Sequence, residues 1–165
     1  MEQFEFSGYK PGALSEVVRL HMDYYAPHWG FGKTFETKVA AELAEFLAHF
    51  QPERDLFLVV YDSAMECVAS ISLSAQNSAD NEAYLRWFIV DQNVAGEGIG
   101  RALINRVVEH CRNGGFSKVY LSTFAGLHAA RKLYESVGFV LVQEMADDRW
   151  KGGVTEQLFV WEVSR

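Results

Sequence analysis

The sequence predicts an α/β protein of the α+β type: a single mixed, mainly antiparallel sheet of about seven strands with helices on both faces. Two observations carry this. β-branched and aromatic runs of strand length alternate with segments of helical spacing in the order β-α-α-β-β-β-α-β-α-β-β. The chain also has 165 residues, 49% hydrophobic and 14% aromatic, enough for one well-filled core but short for two, so residues 1–165 read as one domain.

Gln3 to Tyr9 alternates through Phe4 and Phe6 and reads as a first strand. Pro11-Gly12 then opens a helix that runs to about Tyr25, with Leu14, Val17, Val18 and Met22 on its apolar side. Thr34 is placed to cap a second helix. Glu36 lies in its first turn, and Val39, Leu43, Phe46, Leu47 and Phe50 recur at helical spacing. Between the two helices, Tyr24 to Phe31 reads as an aromatic-rich turn. Asp55 to Tyr61 and Cys67 to Leu73 form a hairpin across Asp62 to Glu66, and Ser74 to Asn81 is a longer polar loop. Glu82 to Asp91 is the next strand. Ile99, Leu103, Val107 and Cys111 mark one face of the helix after it, which ends at Asn113-Gly114-Gly115. Lys118 to Thr123 is a strand, and Ala130, Leu133, Tyr134 and Val137 stripe a helix closed by Gly138. Strands over Phe139 to Glu144 and Thr155 to Val163 complete the sheet, separated by a polar loop from Asp147 to Gly153.

Composition narrows the partners. A formal charge of −7 argues against a general nucleic-acid binder, which needs a basic face to neutralise phosphates. Cys67 and Cys111 are the only cysteines. One falls in a strand and one in a helix, so two core thiols and a reducing cytoplasm are expected rather than a disulfide framework. No apolar run approaches the ~20 residues needed to cross a bilayer, and Met1-Glu2-Gln3-Phe4-Glu5 is unlike a signal peptide, so neither membrane nor leader is expected. No Cys/His spacing implies a metal.

The stretch Phe88-Ile89-Val90 to Ala95-Gly96-Glu97-Gly98-Ile99-Gly100-Arg101 runs from a buried strand through three alternating glycines into a helix. Glycines at 96, 98 and 100 free the backbone to close its N–H groups around phosphate oxygens. The helix that follows points its unpaired N–H groups and positive dipole end the same way. A dinucleotide turn would need Gly-x-Gly-x-x-Gly, and here Arg101 stands where its third glycine would fall. A P-loop would need Gly-Lys-Ser/Thr in place of Gly100-Arg101-Ala102. A tight structural connection that binds nothing is the remaining rival.

One strand downstream lies Ala130-Arg131-Lys132-Leu133-Tyr134-Glu135-Ser136-Val137-Gly138-Phe139. In this order and separation the two motifs resemble the GNAT superfamily of acetyl-CoA-dependent N-acetyltransferases over nearly the whole chain. Thr123-Phe124-Ala125-Gly126, Arg149-Trp150 and Val154-Thr155-Glu156-Gln157 are further similar to a branch often appended to MarR-type DNA-binding domains, of which only the transferase half is expected here. The resemblance implies that Ala95 to Arg101 hold the CoA pyrophosphate, that Phe88, Ile89 and Val90 pair with pantetheine like an added strand, and that Leu127, Ala130 and Tyr134 flank the thioester. It also implies that Tyr134 is the general acid for the leaving thiolate, since a phenol near pKa 10 within reach can protonate or hydrogen-bond a thiolate near 8.5. Three positions depart from the family pattern: Ala95 replaces the arginine or glutamine that opens the turn, Gln92 a proline, and Leu127 an asparagine. Gln92, Asn93, Arg101 and Lys132 are the residues that could compensate.

The activity so implied is transfer of acetyl from acetyl-CoA to a primary amine of a small molecule or peptide, by direct attack and with no acyl-enzyme. The alternative is a non-catalytic acyl-CoA-binding or sensing domain. Glu82, His28, Glu36 and His128 are the candidate bases, while His21, His49 and His110 sit in helices without ligand-like spacing. Tyr24, Tyr25, His28, Trp29 and Phe31 either line an acceptor pocket, cover the core, or form the contact of a homodimer.

Overall fold

A computed structural model of the protein describes residues 3–76, 81–147 and 154–163. Seven strands form one sheet: β1 (Glu5–Ser7), β2 (Leu56–Tyr61), β3 (Cys67–Ser74), β4 (Glu82–Val90), β5 (Lys118–Phe124), β6 (Val140–Asp147) and β7 (Val154–Glu162). Their order across the sheet is β1-β2-β3-β4-β5-β7-β6. The β4–β5 pair is parallel and the other neighbours are antiparallel, as the predicted fold class required.

Helices α1 (Ala13–Trp29) and α2 (Lys33–Ala48) cover one face, and α3 (Ile99–Asn113) with α4 (His128–Val137) cover the other. The alternation of strand side chains separates two cores. On the α3 side, Ile71, Leu73, Ala83, Leu85, Val119, Leu121 and Phe159 meet the stripe Ile99, Leu103, Ile104, Val107 and Cys111. Every residue of that stripe is essentially inaccessible, and full burial of each large aliphatic side chain contributes about 1.5–3 kcal/mol. On the α1/α2 side, Phe57, Val59 and Ile89 pack under Val17, Leu20, Tyr25, Phe35, Val39, Leu43 and Phe46. Both thiols are buried and unbonded to one another. Burial pushes Cys67 up to about 11 and Cys111 up to about 12.

The helix boundaries differ from the sequence expectation in two places. The aromatic segment expected as a turn is largely helix, because α1 continues through Pro27 to Trp29. It stops at Gly30, whose left-handed φ of 71° lets the N–H groups of Gly30 and Phe31 reach the carbonyls of Ala26 and Tyr25. The extra turn survives its proline because Tyr25 and Trp29 bury their rings against Phe31, Phe35 and Phe124. At the start of α2 the cap is Gly32 rather than Thr34, which already lies inside the helix. Strand β6 is also longer than expected and includes Asp147. The rest of the loop placed at Asp147 to Gly153, and residues 77–80 of the Ser74 to Asn81 loop, lie outside the described residues.

Candidate active site

The site begins with a kink in β4. Ser70 pairs with Ile89 and Ser72 with Arg86, so Ile71 of β3 alone faces Trp87 and Phe88 of β4. This is a bulge, and it carries Trp87 at φ 50°, a left-handed conformation uncommon for a bulky side chain. Holding such a residue costs about 1–3 kcal/mol, offset here by its neighbours. The Ser70 hydroxyl donates to the Trp87 carbonyl at 2.8 Å, the indole packs on Phe46 at 5.5 Å between ring centroids, and the Arg86 guanidinium lies 4.2 Å over it. The bulge also shifts the side-chain phase. Trp87 joins the α1/α2 core, whereas Phe88 and Val90 pack against the α3/α4 core.

Past the bulge, β4 and β5 part. Their pairing covers Glu82 to Leu85 with Lys118 to Leu121 and stops there. Beyond it, Ser122, Thr123 and Phe124 of β5 pair only with β7. Arg86 to Val90 therefore present about 14 Å of strand edge with no partner strand on the β5 side, at ~3.4 Å per residue. The fork opens into a cleft of about 800 Å³ whose walls include Phe88, Ser122, Phe124, Leu127, Ala130 and Tyr134.

Beyond the far end of that edge, Gln92–Val94 forms a single 3₁₀ turn that the sequence reading missed. It is capped by the Asp91 carboxylate, which accepts from the Asn93 N–H at 2.8 Å. Gly96 and Gly98 follow at φ 87° and 85°, where a side chain is strained. Gly98 is the N-cap of α3, so the N–H groups of Ile99, Gly100 and Arg101 have no intrahelical acceptor. Gly100 has a different reason to be glycine. A Cβ there would lie 3.0 Å from Leu133 and 3.5 Å from Phe88, so its absence lets α3 and α4 close on β4.

Tyr134, on α4, is buried in the cleft wall with its ring 5.9 Å from Phe88, 6.0 Å from Phe139 and 6.2 Å from Phe159. Burial, with a smaller contribution from Tyr25, pushes the phenol well above its ordinary range, so it remains a protonated donor throughout the neutral range. Leu127 is the N-cap of α4 and makes no side-chain cap hydrogen bond.

Of the residues that could replace an arginine at Ala95, Arg101 donates to the Ser136 hydroxyl at 2.7 Å and Gln92 is 3.2 Å from His28, while Asn93 and Lys132 are exposed. Ala95 itself is exposed and extended at φ −61°. None of the four candidate bases lines the cleft. Glu82 starts β4, Glu36 and His128 are exposed, and His28 bonds Gln92. The titratable groups that do line it are His21, Tyr25, Lys38, Glu42, Glu45, Tyr84, Arg86, Tyr134 and Glu156. His21 lines the cleft although a histidine in an amphipathic helix, without ligand-like spacing, carries no local signature of a site. Its Nδ1 is 2.8 Å from the Val17 carbonyl, which places the proton on Nδ1, and burial pushes its pKa down to about 4. Among the aromatics, Tyr25 lines the cleft, while Phe31 is core and Trp29 covers it.

A strand order with one parallel pair that splays around a cleft, followed by a glycine turn and a helix, defines an acyltransferase domain. Solved structures share it nearly end to end. An acetyltransferase of the GNAT family from Staphylococcus aureus superposes with a TM-score of 0.77 over 98% of this chain and 99% of its own, at 15% identity. An acetyltransferase from Salmonella typhimurium, solved with its cofactor acetyl-CoA, gives 0.73 over 99% and 96%, also at 15% identity. The family model described as acetyltransferase (GNAT) family matches residues 14–139, and the chain belongs to that family. Among curated proteins it is 41% identical over 80 residues to N-acetylaspartate synthetase of Danio rerio, covering 48% of this chain and 28% of that protein. It is 39% identical over 128 residues to the Homo sapiens protein of the same name, covering 76% and 41%. The chain thus spans less than half the length of these relatives. Arg149 and Trp150, which carry part of the likeness to the MarR-linked branch, lie outside the described residues. Among the described residues no helix is long and apolar enough to cross a membrane, and no group of three or more His, Cys, Asp or Glu is disposed to hold a metal ion.

Proposed function

We propose that this domain transfers an acetyl group from acetyl-CoA to a primary amine of a small molecule or peptide by direct attack, with no acyl-enzyme. The observation that carries the reading is the unpaired edge of β4 from Arg86 to Val90, opening on a cleft that holds Tyr134. An extended pantetheine supplies amide groups that such an edge can hydrogen-bond as it would a strand. The diphosphate then reaches the turn at Ala95 to Arg101. There the Gly98, Ile99 and Gly100 N–H groups and the α3 dipole act in place of the absent arginine side chain.

Attack of the amine nitrogen on the thioester carbonyl forms a C–N bond and a tetrahedral oxyanion, which backbone N–H groups at this end of β4 stabilise in this reading. Collapse breaks the C–S bond. The Tyr134 hydroxyl, held protonated by burial, donates to the departing thiolate. A lysine-like amine near pKa 10.4 is only about 1 part in 2,500 neutral at pH 7, so its proton must leave by way of water or a cleft carboxylate. The relatives' activity makes aspartate the first acceptor to test. A cytoplasmic location fits two thiols that are buried and unpaired. Pairing of two copies, and the tie to the MarR-linked branch, rest on the sequence pattern alone.

The test has two parts. Calorimetry with acetyl-CoA should show binding, and thiol release across an amine panel should show turnover. Tight CoA binding with no release for any amine would favour the sensing domain, and no binding would leave a structural domain.

A further inference from the structure

The acceptor end of the cleft carries a charge arrangement that acetyl-CoA chemistry does not use. Arg86 is the first β4 residue beyond the last β4–β5 pair, and Phe88 follows about 7 Å along the strand, so its side chain stands beside the point where the strands fork. Its guanidinium is held flat over the Trp87 indole at 4.2 Å and donates through Nη2 to Glu42 of α2. Lys38, one helical turn earlier, donates to the other oxygen of the same carboxylate. Burial alone would raise the Glu42 pKa, but the hydrogen bonds and charges of Lys38 and Arg86 outweigh it and keep Glu42 ionised. Two cations thus share one anion. A guanidinium has five N–H donors, and the contact to Glu42 uses only part of that fork.

Two further carboxylates line the cleft. Glu45 is 71% exposed and pairs with His49 at 3.1 Å on the outside of α2, and Glu156 stands on the opposite wall, across from Phe124 on β7. The cations of the cleft, Lys38 and Arg86, therefore stand together around one carboxylate on its α2/β4 wall, and Glu156 stands on its β7 wall. A molecule with a carboxylate a few ångströms from its amine matches that polarity, and a polycation does not.

Resting on the acetyltransferase reading above, we propose that Arg86 and Lys38, braced by Glu42, form the subsite for the acceptor's carboxylate, so that the domain selects amino acids over amines without a carboxylate. Glu42 is a positioning residue here: it holds the two cations at the cleft wall, and one carboxylate leaves part of their N–H donors for the ligand. The planar guanidinium can take a carboxylate through two parallel N–H donors, which a lysine at the same place cannot do.

The test compares aspartate with aspartate diamide and with a diamine of similar length as acceptors. The wild-type domain is expected to favour aspartate over both. Arg86→Gln should raise the aspartate KM by about tenfold or more and the diamide KM far less, so that the acid-to-amide preference collapses; Arg86→Lys should restore it only in part. Lys38→Gln, on the half-exposed side of α2, should lower the same preference without unfolding the chain. Acetyl-CoA affinity by calorimetry should be unchanged in Lys38→Gln, whose side chain lies on α2 and off the β4 edge. Equal preference in Arg86→Gln and wild type, or a wild type that acetylates the diamine but not aspartate, overturns the subsite while sparing the acetyltransferase reading. A wild type that binds acetyl-CoA and acetylates nothing overturns both.

Discussion

Replacing Tyr134 by phenylalanine removes one oxygen from the cleft wall and nothing else. The ring contacts to Phe88, Phe139 and Phe159 are kept, so the fold should lose well under about 1 kcal/mol. What is lost is a neutral donor aimed at a developing thiolate. Hydrogen bonds to charged groups are worth about 1.5–3 kcal/mol, and at 1.36 kcal/mol per tenfold this predicts a kcat lower by about 10- to 150-fold. The bond exists fully only once sulfur carries charge, so the KM for acetyl-CoA should move little. Because burial holds the phenol above its ordinary range, the wild-type rate should also show no alkaline limb from this residue below its unperturbed pKa of about 10. Steady-state kinetics with saturating amine, monitored by thiol release, decide the matter. A Tyr134→Phe enzyme with wild-type kcat would refute the donor role, and a rise in KM with kcat unchanged would mean that the hydroxyl holds the ground state instead.

Three further outcomes are expected. His21 falls from 6.5 to about 4 on folding, so the unfolded chain binds the extra proton between these values, and stability is lost as pH falls through that window. That difference corresponds to about 3 kcal/mol, and urea unfolding should show this acid limb shrinking in His21→Phe, whereas parallel limbs would refute it. Ala95→Arg restores a side chain where the family carries its phosphate ligand, at an exposed position whose extended backbone accepts it. CoA should bind about tenfold tighter or more by calorimetry, and unchanged affinity would place the diphosphate elsewhere. Gly98→Ala forces a Cβ into the left-handed region at φ 85°, which should cost about 1–2 kcal/mol of thermal stability and weaken CoA binding; a variant indistinguishable from wild type in both would show that the turn does not need its glycine.

Some of this was legible locally and some was not. The α3 stripe from Ile99 to Cys111, the run of strands and the glycines at 96 and 98 follow from residue type and near-neighbour spacing, and the structure places them as the periodicity required. The end of α1 did not follow, because Pro27 and the clustered aromatics signal a turn in isolation. Only burial against Phe35 and Phe124, from other elements, makes helix the better state. The candidate bases lie away from the cleft for a related reason: residue type near loops picks out Glu82, Glu36, His28 and His128, and which side chains share a cleft depends on strand order.

Sequence alone determined the elements, the two faces of the sheet and the turn that can cradle an anion, since each depends on contacts within a few residues. The tertiary structure decided where β4 kinks, where it leaves β5, and that Arg86, Glu42 and Lys38 meet beside Tyr25, His21 and Tyr134. Those facts come from pairings between residues tens of positions apart, such as Ser70 with Trp87 and Glu42 with Arg86, which no local pattern encodes.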